Sequence, residues 1–186
     1  MILSCKNQLI CKDQIKENML YIIGFMGVGK STIGKKIALQ YKVNFIDTDT
    51  FIEETLGYSI SIAFQKDGEN AFREMESDLI HKIKKESIIS CGGGLPIHNN
   101  NMQHLLKTGT VIYLKASTKT LYNRLKNQTE SRPLINNIKQ EDLKDFIRKK
   151  LDERNEIYSM AHHIIETDNK SQLEILREIN SLISFS

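Results

Sequence analysis

The sequence predicts an α/β domain, a five-stranded parallel sheet with helices on both faces. Three observations carry that reading. Short apolar runs alternate with helical patterns along the chain, as strand–helix–strand units require. A glycine-rich segment, Gly24 to Ser31, lies between the first apolar run and the first helix. The size, 186 residues with 40% hydrophobic and 26% charged side chains, fits one domain with a proper core.

In chain order, a strand is predicted at 20–23 and a helix at 30–41, followed by a strand at 44–46 that runs into Asp47-Thr48-Asp49. Helical patterns cover 51–56, 60–65 and 69–85, and an apolar run at 87–91 stops at Gly92-Gly93-Gly94. A helix at 102–107, a strand at 110–114 and a helix at 119–126 come next. The stretch 127–139 is polar, lacks periodicity and contains Arg132-Pro133. A long amphipathic helix at 141–160, a last strand at 163–166 and a closing helix at 172–183 complete the pattern. Residues 1–18 are polar and aperiodic, and read as an N-terminal extension to a single domain at 19–186.

Composition narrows the function classes. Lys and Arg number 26 against 23 Asp and Glu, a net charge of only +3, which is not a nucleic-acid-binding profile. No apolar run approaches the roughly 18 residues of a membrane span. Cys5, Cys11 and Cys91 are odd in number and irregularly spaced, and the start MILSCKNQLICKDQ carries no apolar signal segment. A reducing cytoplasm is the expected compartment.

Gly24-Phe25-Met26-Gly27-Val28-Gly29-Lys30-Ser31 satisfies G-x-x-x-x-G-K-[ST] in full, between a strand and a helix. Glycines let successive backbone N–H groups curl toward phosphate oxygens, and the helix N-terminus adds partial positive charge. Lys30 is placed to reach the β- and γ-phosphates and the Ser31 hydroxyl to ligate Mg²⁺. The chain is therefore expected to bind a nucleoside triphosphate through Gly27, Val28, Gly29, Lys30, Ser31 and Thr32. It is too short for a large ATPase. A guanine motif N-K-x-D fails too, because Asn169-Lys170 continues as Ser171-Gln172.

The phosphoryl acceptor has its own constellation. In a parallel sheet the carboxyl ends of strands face the ligand crevice, which places Asp47 and Asp49 there. If the strand extends that far, period-2 alternation points both the same way. One carboxylate then serves metal-bound water and the other orients the attacking hydroxyl. Capping of the following helix is the alternative use of Asp49. The glycine run 92–94 suits a backbone that approaches a ligand closely.

With 20 Lys and 6 Arg, each arginine invites the question of whether a planar fork is needed. Arg73 sits at the edge of an apolar stripe with Glu76 three residues on to hold it. Arg154 falls on the buried stripe of the long helix, where it needs an anionic partner or a cleft, unless its stem carries the charge out to solvent. Two such forks in one pocket suit a small carboxylate. Arg132 and Arg124 flank a loop that can close over a nucleotide, whereas Arg148 and Arg177 read as solvated.

In order, GFMGVGKST (24–32), DTD (47–49), DGENAFREME (67–76), GGG (92–94), RPL (132–134) and ERNEIY (153–158) resemble the motifs of the shikimate kinase family, from residue 19 to the C-terminus. The resemblance implies a nucleoside-monophosphate-kinase type of P-loop fold with a mobile lid, here about 124–139. It also implies transfer of the ATP γ-phosphate to the 3-hydroxyl of shikimate with Mg²⁺, a step of aromatic amino-acid biosynthesis. Residue by residue, it implies Lys30 and Ser31 on phosphates and Mg²⁺, Asp47 on metal-bound water, and Asp49 on the shikimate hydroxyls as catalytic carboxylate. Arg73 and Arg154 are then the carboxylate clasp, Gly93 and Gly94 backbone donors, Arg132 the lid arginine on the transferred phosphate, and Arg124 the adenine-stacking residue. ATP and shikimate are the expected partners of a monomer, with neither nucleic acid nor membrane. The alternatives are a kinase of the same fold acting on gluconate or a nucleoside monophosphate, and a non-catalytic ATP-binding module. Residues 47–76 hold only Lys66 and Arg73 among an excess of acidic side chains, which speaks against a phosphorylated acceptor.

Overall fold

Met19–Ile23 is apolar throughout and buried at every position, the pattern of a strand covered on both faces. In the computed structural model, which describes residues 19–83, 86–127, 134–136 and 138–183, this strand (β1) lies at the centre of a five-stranded sheet. Its partners are β2 (Asn44–Asp47), β3 (Ser87–Ser90), β4 (Thr110–Lys115) and β5 (His163–Glu166), in the order β2-β3-β1-β4-β5. Every pairing is parallel; Leu20 sits opposite Ile88 on one side and Thr110 on the other. The chain thus leaves β1 in one direction for β2 and β3 and later crosses to β4. The carboxyl end of β1 is the switch point, where open α/β sheets form their ligand crevice.

Alternation along β1 divides the core into two layers. Leu20 and Ile22 pack with Ile33 and Ile37 of α1 (Lys30–Tyr41), Leu121 of α5 (Thr118–Leu125), Ile147 of α6 (Leu143–Tyr158) and Ile179 of α7 (Gln172–Leu182). Met19, Tyr21 and Ile23 face the other way, onto Ile80 of α3 (Ile60–Lys82), Leu105 of α4 (Asn101–Thr108) and Tyr158 at the end of α6. Helix α6 therefore serves both layers, and its last turn reaches the site. No helix among the described residues is long and apolar enough to cross a membrane.

Most boundaries agree with the sequence patterns, and the differences have local causes. The two helical segments read at 60–65 and 69–85 are halves of α3, separated at Gly68, whose φ of 82° and ψ of 165° interrupt the helix. The second half stops at Lys82, with Ile83 already extended. Helix α2 (Thr48–Leu56) starts three residues before the predicted 51 because Asp47 caps it: the Thr50 N–H donates to Asp47 Oδ1 at 3.3 Å. The 1–18 extension and part of the predicted 124–139 lid lie outside the described residues.

Candidate active site

The phosphate cradle links β1 to α1. At Gly24, φ is 141° and a side chain would come within 2.5 Å of the Leu114 carbonyl oxygen, so the turn requires glycine. Gly29, with φ 109°, caps α1 without any side-chain bond to the first turn, which leaves the helix N-terminus to an incoming anion. Lys30 is buried, its ammonium donating to the Gly24 and Phe25 carbonyls at 3.0 and 3.2 Å. Gly27, Gly29, Lys30, Ser31 and Thr32 line a cavity of about 530 Å³, closed on its far side by Asp47, Asp49 and Gly93. Val28 turns inward, its N–H donating to the Phe25 carbonyl. Arg124 crosses the back of the loop and donates to the Val28 carbonyl at 2.9 Å. It also borders a neighbouring cavity of about 260 Å³ lined by Val28, Thr32, Lys170 and Gln172.

The Ser31 hydroxyl donates to Asp47 Oδ2 at 2.5 Å and lies 3.3 Å from the Ser90 hydroxyl. A hydroxyl and a carboxylate in contact at the phosphate end of the cavity are hard oxygen ligands. They fit Mg²⁺, which binds with one or two protein groups while retaining water and phosphate oxygens. Among the described residues there is no cluster of three or more His, Cys, Asp or Glu side chains to hold a metal by itself.

Asp47 and Asp49 do not share a strand face as period-2 alternation predicts, because β2 ends at Asp47. Asp47, not Asp49, takes the capping role, and Asp49 falls in the first turn of α2. That position makes it a wall of both the nucleotide cavity and a second cavity of about 220 Å³. Burial, and then the charge of Asp47, raises the Asp49 pKa, while Lys30 and Arg73 pull it down.

The second cavity brings together the other predicted acceptor residues, Arg73, Gly93, Gly94 and Arg154, over an apolar wall of Met26, Phe64, Phe72 and Leu134. Arg73 is held by two carboxylates of α3, donating to Glu76 at 2.6 Å and to Glu69 at 2.8 Å. Arg154 does not carry its charge to solvent. It is 9% exposed, lies over the Phe25 ring at 5.6 Å, and its Nη1 is buried with no hydrogen-bond partner. An orphaned guanidinium nitrogen in a cavity wall is a site waiting for an anion.

The glycine run is dictated by crowding. A side chain on Gly92 would lie 2.3 Å from Glu76 Oε1 and 2.5 Å from Asp49 Oδ1, and one on Gly94 would run into the Arg73 guanidinium at 2.4 Å. The Gly92 N–H donates to the Thr48 hydroxyl at 2.8 Å, tying the run to α2. Sequence reasoning read Gly92 only as part of the glycine run, missed Thr48 and read Glu76 only as a brace for Arg73. Glu76 is fully buried, its Oε1 has no hydrogen-bond partner, and burial pushes its pKa up to about 7 against the pull of Arg73. Its spacing from Arg73 was a signal; its approach to Asp49 had none. Cys91, free and fully buried, is a packing residue whose thiol burial holds protonated. Arg132 lies outside the described residues.

Residues 26–184 match the shikimate kinase family profile. Shikimate kinase of Phocaeicola vulgatus is 36% identical over 166 residues, covering 88% of this chain and 93% of its own. That of Clostridium botulinum is 43% identical over 159 residues, covering 84% and 91%. The solved structure of Acinetobacter baumannii shikimate kinase in complex with shikimate superposes with a TM-score of 0.82 at 29% identity, over 90% of this chain and 93% of the other. A sheet switch point carrying a complete phosphate cradle, a second cavity walled by Asp49 and two arginines, and this degree of likeness over most of the chain together make it a member of the shikimate kinase family.

Proposed function

We propose that the chain transfers the γ-phosphate of ATP to the 3-hydroxyl of shikimate, and that the site residues divide the work as follows. Lys30 exchanges its two loop carbonyls for the β- and γ-phosphates, while the free N–H groups at the start of α1 hold the phosphate oxygens. Ser31 and Asp47 hold Mg²⁺, which when bound neutralises charge across those phosphates. Arg124 sits beside the base. Arg73 and Arg154 take the shikimate carboxylate, with Gly93 and Gly94 lending backbone donors to its hydroxyls. Asp49, between the two cavities, orients the attacking hydroxyl and accepts its proton. Arg132 completes the charge on the transferred phosphate when the 124–139 segment closes. The catalytic unit is 19–186, and one chain supplies every residue named, so a monomer in the cytoplasm suffices.

One observation carries this reading: the unpartnered Arg154 Nη1 beside Arg73, in a cavity that shares Asp49 and Gly93 with the phosphate cradle. A small carboxylate that also bears hydroxyls satisfies both the arginines and Asp49, whereas a phosphorylated acceptor would have to meet Glu53 and Glu69 nearby. The test is ADP release coupled to a dehydrogenase, with shikimate, quinate, gluconate and AMP as acceptors. Turnover with shikimate should exceed the others by at least about 100-fold in kcat/KM, roughly 3 kcal/mol of discrimination. Equal turnover with gluconate or AMP overturns the substrate, and ADP release with none of them overturns the catalyst.

A further inference from the structure

The phenol of Tyr158 lies against the glycine run that lines the acceptor cavity. Tyr158 is fully buried, and its hydroxyl donates to the Gly93 carbonyl at 2.5 Å. The ring is fixed by its position in the last turn of α6 and by Tyr113, whose ring centroid is 5.0 Å away. Arg154 lies one turn earlier on the same helix. A side chain on Gly93 would come 3.2 Å from Arg154 Nη1, 3.5 Å from the Gly24 carbonyl and 3.6 Å from the Tyr158 hydroxyl. The Gly93 backbone is thus boxed in by one arm of the clasp, the first residue of the cradle and the phenol.

The peptide that Tyr158 grips joins Gly93 to Gly94. With glycine on both sides, this peptide and the Gly92–Gly93 peptide carry less intrinsic restraint than any other in the chain. The Leu95 N–H bond to the Gly92 carbonyl at 3.1 Å closes a turn around the Gly93–Gly94 peptide, and such a turn is compatible with either orientation of its central peptide. That central peptide is trans and planar, so the Gly93 C=O and the Gly94 N–H point in opposite directions. A bond that holds the carbonyl toward Tyr158 therefore aims the N–H away from it. Both glycines line the acceptor cavity.

We propose that Tyr158 is a positioning residue for acceptor binding: its hydroxyl locks the Gly93–Gly94 peptide so that the Gly94 N–H is presented to a hydroxyl of the acceptor. This rests on the acceptor reading given above and assigns the geometry of its backbone donor to a side chain that never touches the substrate. Burial raises the phenol's pKa, so the donor persists across the neutral pH range. Because the same N–H serves substrate and transition state alike, its loss is a loss of uniform binding, which raises KM and spares kcat.

The test is Tyr158→Phe in the full chain, which keeps the ring and removes one hydroxyl. The shikimate KM should rise about tenfold while kcat and the ATP KM stay within about twofold. Shikimate analogues each lacking one ring hydroxyl add the decisive readout. One analogue should bind the parent enzyme more weakly than shikimate does, yet suffer no further loss in Tyr158→Phe, because the donor for that hydroxyl is already gone. An unchanged shikimate KM overturns the proposal. So does a parallel loss of ATP affinity, shikimate affinity and thermal stability, which makes the bond part of the general scaffold. Arg154→Lys is the control for the underlying reading: if it also leaves the shikimate KM unchanged, the acceptor site is misplaced, whereas a raised KM there with an unchanged one in Tyr158→Phe rejects Tyr158 alone.

Discussion

One carboxylate oxygen of Asp49 and one of Glu76 meet beside Gly92, within 2.5 Å of the point where a Cβ on that glycine would sit. Asp49 belongs to α2 and Glu76 to α3, so a single backbone position sets how closely Asp49 approaches the carboxylate that braces Arg73.

Gly92→Ala tests that relationship. The new methyl would have to displace oxygens at 2.3 and 2.5 Å, one on Asp49 and one on Glu76, whose side chain is fully buried and tied to Arg73 through its other oxygen at 2.6 Å. Displacing Asp49 by about 1 Å is enough to cost on the order of 100-fold in kcat. Stability should fall by about 1–3 kcal/mol, the usual cost of overpacking. ATP affinity, set on the other side of Asp49, should change little. Steady-state kinetics and nucleotide titration check both statements.

Glu76 gives the protein a pH dependence with a definite sign. Its folded-state pKa is pushed to about 7 from an ordinary 4.5, so the folded state holds this proton more tightly than the unfolded state. Its contribution is fully present below pH 4.5 and is lost as pH rises through about 7. A shift of this size corresponds to roughly 3 kcal/mol. Asp49, also raised by burial, acts in the same direction. Urea unfolding of the parent protein and of Glu76→Gln from pH 5 to pH 8 should show stability declining with pH in the parent and a flatter profile in the variant. Parallel profiles would contradict this.

Arg73 is buried and held at two points by Glu76 and Glu69, which orients its fork. Arg73→Lys retains the charge but loses the planar geometry. The shikimate KM should rise by about tenfold, the equivalent of about 1.4 kcal/mol, with the ATP KM unchanged. Acceptor titrations at saturating ATP measure it.

Much of this was legible in the sequence because the chemistry itself restricts residue type. A cradle of backbone N–H groups demands Gly24, Gly27 and Gly29 in fixed spacing, and the alternation of apolar runs with helical patterns leaves a parallel sheet as the natural outcome. The break at Gly68 was visible as two helical patterns separated by a glycine. Arg154 was visible as a charge on an apolar stripe, which a buried, unpartnered guanidinium nitrogen explains. What was not legible depends on elements distant in sequence. Asp47 rather than Asp49 caps α2 because the helix starts at Thr48, directly where β2 ends, with no intervening loop. Tyr158 reads as one more apolar residue of α6 until β3 delivers the Gly93 carbonyl to its hydroxyl across 65 residues of chain. Glu76 reads as a local partner of Arg73 until Gly92 brings it against Asp49.

In the proposed mechanism Asp49 acts on the attacking hydroxyl between two separately bound substrates. Asp49→Asn keeps the shape and removes the proton acceptor, and the decisive measurement is its kcat beside its equilibrium affinities for ATP and shikimate. Its kcat should be lower by about 10²- to 10⁴-fold, the range for a general base, with both affinities within a few-fold of the parent. A near-normal kcat, or a loss of ATP affinity as large as the loss of rate, would contradict it.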